Sequence, residues 1–247
     1  MNTVLVIPAR YASSRLPGKP LRDLAGKPLI QHVHERAIAA GFATVLVATD
    51  DERIQRVCED FGAQVAMTAS THETGSDRLA EVVQQQGWSD DTIVVNLQGD
   101  EPLTPIANLH QLARNLAHHP QASMATLATP ITHLDDFHNP NSVKVVRDEQ
   151  GLALYFSRAP IPFQRDAGMA LAQYALRHIG MYAYRAGFLK AFTSLKSSLP
   201  EQLEKLEQLR ALSHGYRIHV DIALEIPGAG VDTEEDARNV SAILGRK

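Results

Sequence analysis

Cysteine is nearly absent. Cys58 stands alone among 247 residues, which excludes an internal disulfide and any cysteine-rich zinc site, and fits a reducing compartment. Charge of one sign is lacking too: 24 Lys and Arg face 28 Asp and Glu, a net −4 at pH 7. No global positive field therefore argues for nucleic acid or anionic lipid as a partner. The N-terminus has no basic segment followed by a long apolar run, so neither a secretory signal nor a membrane anchor is expected, and a soluble cytoplasmic protein is. The histidines form no metal-binding constellation: His118-His119 sits at an expected helix end beside Pro120 and reads as surface. What is plentiful is apolar content, 44% hydrophobic, enough for one generous α/β domain or one with a small insertion.

Short β-branched runs at residues 3–7, 44–49, 64–68 and 92–97 alternate with helical patterns at 30–40, 52–61 and 77–86, which predicts a parallel sheet with helical crossovers. Within 52–61, Ile54, Val57, Cys58 and Phe61 fall at helical spacing, so Cys58 reads as part of a core stripe. A helix over 106–117 and a strand over 123–129 follow. The middle then changes character: runs at 142–147 and 152–157 flank Asp148-Glu149-Gln150-Gly151, a hairpin turn by composition and an excursion from the main sheet. A strand at 178–184, a helix at 201–213, a strand at 217–223 and a helix at 234–244 complete the reading. No internal repeat or low-complexity linker appears.

The chemistry begins behind the first strand. Ile7-Pro8-Ala9-Arg10-Tyr11-Ala12-Ser13-Ser14-Arg15-Leu16-Pro17-Gly18-Lys19 places three cations and no acid where open α/β sheets bind ligands, with Pro8 expected to stop the ladder. Arg10, Arg15 and Lys19 suit a triphosphate. The loop is not a P-loop, since Ser13 and Pro20 stand where that motif needs Gly and Ser or Thr, and Gly228-Ala229-Gly230 lacks the third glycine of a dinucleotide fingerprint, Thr233 standing there. Asn96-Leu97-Gln98-Gly99-Asp100-Glu101-Pro102 ends a strand with a carboxylate that suits magnesium or simply a turn. Gly230-Val231-Asp232-Thr233 offers a second acid, or merely a helix cap. Thr74-Gly75-Ser76-Asp77-Arg78 suits a ribose or base, or ordinary capping by Ser76. His178 and Tyr182 share one strand face, as a core pair or a site; Glu207 and Gln208 read as a solvated helix edge.

Taken together, the segments from Pro8 to Leu21, from Asn96 to Pro102 and from Gly230 to Thr233 closely resemble the 3-deoxy-manno-octulosonate (Kdo) cytidylyltransferase family, the CMP-Kdo synthetases. So do Asn139-Pro-Asn-Ser-Val-Lys144-Val-Val, Ala153-Leu-Tyr-Phe-Ser157-Arg158 and Leu206-Glu207-Gln208-Leu-Arg210, and the resemblance runs nearly end to end. It implies a Rossmann-like α/β nucleotide-diphospho-sugar transferase fold, a mostly parallel sheet flanked by helices with a β-hairpin insertion used in dimerisation. One domain would span 1–247, with 1–130 mainly binding CTP and 131–247 mainly serving the sugar acid and dimerisation. The resemblance further implies Arg10, Ser13, Arg15, Lys19 and Arg78 as nucleotide-binding, with Gly75-Ser76 on that side; Gln98, Arg158, His178, Tyr182, Glu207 and Gln208 as the sugar-acid pocket; and Asp100 and Asp232 as magnesium ligands. Arg10, Lys19 and Asp100 would be the catalytic set. The implied reaction joins Kdo to CMP from CTP with release of pyrophosphate, for lipopolysaccharide biosynthesis, in a cytoplasmic homodimer that needs neither nucleic acid nor membrane insertion. Other readings left open are a cytidylyltransferase for an amino-substituted Kdo or a sialic acid, a nucleotidyltransferase using a sugar phosphate, and a CTP sensor without turnover. Residues 166–175 match no usable pattern.

Overall fold

Val4, Leu5, Val6 and Ile7 are all fully buried, because strand geometry sends alternate side chains to opposite faces and both faces here are covered by helices. The computed structural model describes residues 2–12, 16–72, 74–166 and 168–245; the expected phosphate-loop residues Ser13 and Arg15 lie outside them. β1 (Thr3–Ala9) leads through a 3-10 turn (Lys19–Leu21) and a small hairpin, β2 (Asp23–Leu24) and β3 (Lys27–Pro28), into α1 (Leu29–Ala39). Three strand–helix units follow: β4 (Val45–Thr49) with α2 (Glu52–Asp60), β5 (Gln64–Met67) with α3 (Gly75–Gln85), and β6 (Ile93–Asn96) with α4 (Ile106–His118). Next come β7 (Met124–Pro130), α5 (Leu134–His138), β8 (Lys144–Arg147), β9 (Ala153–Ser157) and β10 (Leu176–Arg185). The last elements are α6 (Ala186–Phe192), α7 (Leu199–Glu204), α8 (Gln208–Ser213), β11 (Ile218–Ile222) and α9 (Glu234–Leu244).

The main sheet runs β11-β7-β10-β6-β1-β4-β5. It is parallel except for β10, which enters between β6 and β7 antiparallel to both. The second half of the chain thus completes the sheet begun by the first. Leu5, Ile7 and Val95 pack with Val33, Cys58, Leu112 and Val240 on one face; Val4, Val6 and Val94 pack with Leu79, Val83, Leu189 and Leu209 on the other. Cys58 is fully buried, as expected, and burial pushes its thiol up to about 12. Among the described residues no helix is long and apolar enough to cross a membrane.

Several expectations need correcting. Pro8 does not stop the ladder: β1 continues to Ala9, with Pro8 opposite Ala48. Leu5 donates to Thr44 on the β4 side, so the alternating N–H groups of Val4 and Val6, and the missing one of Pro8, face β6, whose pairing ends at Val6↔Asn96. The lost donor costs nothing there. Residues 201–213 are two helices, because Lys205 adopts the left-handed conformation (φ 53°) and ends α7. Thr74, not Ser76, caps α3, in a reciprocal box with Asp77.

The expected hairpin forms, with Gly151 at φ 77° in its turn, and it is tied to the main sheet. β8 meets β10 at Lys144↔Arg177, and the turn docks on β11 through a Leu152↔His219 bridge and a Val220 N–H to Gly151 carbonyl bond of 2.7 Å. At that junction His119 is half-buried rather than on the surface, its ring stacked 3.7 Å from that of His219. Burial, then the neighbouring His119, hold the His219 imidazole down at about 4, with Asp221 opposing and Arg147 reinforcing the shift. The unfolded chain takes up this proton near pH 6.5, before the folded one does. Stability from this residue is therefore full above pH 6.5 and lost toward pH 4. Urea titrations across that range should show a loss on the order of 1–3 kcal/mol after solvent screening that His219→Gln lacks; parallel pH profiles for the two proteins would refute it.

Candidate active site

A cleft of about 330 Å³ opens at the carboxyl edge of β1 and β6, lined by Pro8, Arg10, Lys19, Gly75, Arg78, Gln98, Asp100 and Asp232, among others. Each arrives for a local reason. After β1 the chain doubles back, Gly18 N–H bonding the Tyr11 carbonyl (3.1 Å) at φ 69°, and the following 3-10 turn presents Lys19. After β6, Gly99 lies so close beneath β1 that a Cβ would sit 2.7 Å from the Pro8 carbonyl oxygen; only glycine lets Asp100 reach the cleft. Asp232 is brought alongside by the Val231 N–H donating to the Asp100 carbonyl (2.8 Å). Thr233 caps α9, so capping and a cleft-facing acid coexist in adjacent residues.

Lys19 Nζ donates to Asp100 Oδ2 (2.6 Å) and to Asp232 Oδ1 (3.0 Å). Burial works against its charge, but the two carboxylates outweigh it and raise its pKa. Next door, burial first and then the charges of Asp100 and Asp232 push the Glu101 carboxyl up to about 7, against a hydrogen bond from Thr104. Arg10 is exposed at the rim. Arg78 is buried, its guanidinium donating to Thr68 Oγ1 and, at 3.0 Å, to Asp50 Oδ2, so it contributes to the wall of the cleft with two of its nitrogens already engaged.

A second polar cluster lies on the face covered by α3 and α8. Tyr182 stands opposite Asn96 in register, and its ring is 5.5 Å from that of His178. The bulge between Ile179 and Tyr182 inserts two residues against β7, an even number, so His178 and Tyr182 keep one face as expected. Thr126 Oγ1 lies 2.9 Å from His178 Nε2 and within reach of the Ile179 and Met181 carbonyls. Since carbonyls only accept, the hydroxyl accepts from Nε2–H. Burial brings the His178 imidazole down to about 3, and burial, with Tyr184 and Glu207 nearby, keeps the Tyr182 phenol protonated. Glu207 is no solvated edge: Oε2 accepts from Ser76 Oγ (3.1 Å), Oε1 is buried without a partner among the described residues, and burial raises its pKa despite bonds from Thr74 and Ser76. Gln208 is buried.

The family model described as Cytidylyltransferase matches residues 4–220. A 3-deoxy-manno-octulosonate cytidylyltransferase of Thioalkalivibrio sulfidiphilus is 56% identical over 248 residues, covering 99% of each chain. One from Pseudoalteromonas atlantica is 53% identical, covering 98% of each. The chain belongs to the 3-deoxy-manno-octulosonate cytidylyltransferase family. A solved CMP:2-keto-3-deoxy-manno-octonic acid synthetase complexed with CTP superposes with a TM-score of 0.91 at 44% identity, covering 100% of this chain and 99% of that one.

Against the family expectation, Arg10, Lys19, Arg78, Gln98, Asp100 and Asp232 line one cleft, while His178 lines a second of about 450 Å³ with Asn139, Ser142 and Arg177. Glu207 lines neither cleft; of the two residues that bond its carboxylate, Thr74 and Ser76, Thr74 lines the first. Arg158, Tyr182 and Gln208 line neither cleft. The sequence reading missed His72, which lines the first cleft and bonds Glu81 across the start of α3 (2.5 Å), and Thr126, which sets the His178 tautomer. Neither carries a local motif; each acts through a partner distant in sequence. For this family site, Gly99→Ala should cost about 1–3 kcal/mol of stability by denaturant titration and lower turnover further by displacing Asp100. Wild-type stability and turnover would show that the Pro8 carbonyl moves freely.

Proposed function

We propose that this chain transfers CMP from CTP to 3-deoxy-manno-octulosonate, the anomeric hydroxyl attacking the α-phosphorus, with release of pyrophosphate and one proton. The observation that carries the reading is the Lys19 ammonium held between Asp100 and Asp232 at the sheet's carboxyl edge, in a cleft that also holds Arg10 and the N-terminus of α3. Transfer at phosphorus asks a protein chiefly for alignment and for neutralising charge on equatorial and leaving oxygens. Lys19 and Arg10 supply cations for the phosphates, Arg15 by family resemblance a third, and the first N–H groups of α3 favour an anion. His178 lines the second cleft, and by family resemblance Tyr182 and Glu207 join it for the sugar hydroxyls and Arg158 supplies a cation for the sugar's carboxylate.

Asp100 and Asp232 fit magnesium: both are hard oxygen donors, and they already converge on one cation. Magnesium takes one or two carboxylates and completes its shell with phosphate oxygens and water. Bound there, magnesium would supply further charge neutralisation to the phosphates. The reading also includes a homodimer, supported by β9, which pairs with β8 alone and leaves Leu154 61% exposed, as well as by Phe163 at 88%. A cytoplasmic place, where ribonucleoside triphosphates are kept, and a product used for lipopolysaccharide complete it.

Pyrophosphate release should require CTP, the sugar acid and magnesium together when each ribonucleoside triphosphate is assayed with and without the acid. Turnover only with an amino-substituted analogue or a sialic acid would move the substrate assignment, and CTP binding without turnover on any acid would overturn catalysis. Lys19→Ala should lower kcat by about two to three orders of magnitude, as expected for one preorganised charge contact; near-normal turnover at saturating CTP would remove Lys19 from the transition state. Asp100→Asn should raise the magnesium concentration needed for half-maximal rate, whereas an unchanged titration would take Asp100 out of the metal site.

A further inference from the structure

Lys144 is fully buried, among the largest side chains so placed. Burying an ammonium is costly unless every donor is met. Here all three are, by backbone carbonyls: Asn139 (2.9 Å), Ser142 (2.5 Å) and Arg158 (2.7 Å). One side chain thereby ties the end of α5, the loop before β8 and the residue after β9. A methionine or leucine would fill the space, so the charge serves the geometry of those carbonyls.

Arg158 is gripped from its other side by Glu204. The Glu204 carboxylate accepts from Ser157 Oγ (2.6 Å) and from the Arg158 N–H (2.8 Å), and the Glu204 carbonyl accepts from Arg158 Nε (2.7 Å). That carbonyl is available because left-handed Lys205 ends α7 there, leaving the last-turn oxygens without helical partners. Arg158 Nη1 donates to the Pro140 carbonyl (2.9 Å), adjacent to the Asn139 carbonyl that Lys144 holds. Nη2 has no partner among the described residues. An arginine can meet a carboxylate through Nε and Nη2 or end-on through Nη1 and Nη2; the first mode is blocked.

We propose that Lys144 and Glu204 are positioning residues, a two-sided clamp that holds Arg158 so that its Nη1–Nη2 end meets the carboxylate of the sugar acid. This rests on the reading of Arg158 as a sugar-acid ligand. Neither clamp residue touches substrate; both act through Arg158.

The test is a pair of double-mutant cycles, Lys144→Met with Arg158→Leu and Glu204→Gln with Arg158→Leu, reading kcat and KM for the sugar acid and for CTP. Each clamp substitution alone should raise the sugar-acid KM about tenfold or more, the size of a misplaced charged hydrogen bond, with KM for CTP within twofold. In the Arg158→Leu background the same substitution should change the sugar-acid KM less than twofold. Effects that multiply in the double variants, or that move both KM values alike, would overturn the clamp. Should Lys144→Met not fold, the Glu204 cycle carries the same two outcomes. Arg158→Leu by itself reports on the underlying reading: an unchanged sugar-acid KM in that single variant would withdraw Arg158, and the clamp's role with it.

Discussion

One ammonium between two carboxylates organises the cleft at the carboxyl edge of the sheet. Lys19, Asp100 and Asp232 are 81 and 213 positions apart along the chain pairs that join them, yet each follows a strand or precedes a helix at the same sheet edge. Asp100 and Asp232 would repel one another at this spacing, and after burial their charges raise the pKa of neighbouring Glu101; Lys19 between them makes the assembly tolerable. The same arrangement keeps two hard oxygen donors converged on one cation.

The rest of the architecture serves that edge. Gly99 packed under the Pro8 carbonyl, and the Val231 N–H on the Asp100 carbonyl, fix the two acid-bearing loops by backbone contact rather than by side chains that would compete for the cleft. Reversal of β10 between β6 and β7 carries His178 and Tyr182 onto the face beneath α3 and α8. There, burial favours neutral forms of His178 and Tyr182 and disfavours the charged form of Glu207. The cleft at the sheet's carboxyl edge gathers charged groups, whereas burial beneath α3 and α8 disfavours charge.

Much of the frame was legible because parallel strands buried on both faces read as plain apolar runs, and because caps such as Thr233 are local. The strand–helix alternation, the hairpin at Asp148 to Gly151 and the two strand-end acids all follow from short-range pattern. Pro8 misled because its missing donor is harmful only on a side that needs one, and pairing decides the side. The helix over 201–213 misled because its apolar spacing runs straight through Lys205, whose left-handed backbone ends α7 and leaves the Glu204 carbonyl for Arg158 Nε. Local spacing read Glu207 and Gln208 as a solvated edge, whereas the fold turns Glu207 onto Ser76 and buries Gln208.

By itself, then, the sequence determined the α/β alternation, the cationic turn after β1 and the acids at Asp100 and Asp232, since these depend on neighbours within a few residues. Tertiary structure alone decided that those acids share Lys19, that Thr126 sets the tautomer of His178, that Lys144 lies buried among three carbonyls and that Glu207 turns inward to Ser76. Each of these is a contact between segments brought together by strand order and crossover, and a buried polar group takes its partner from whatever the fold places within hydrogen-bonding reach.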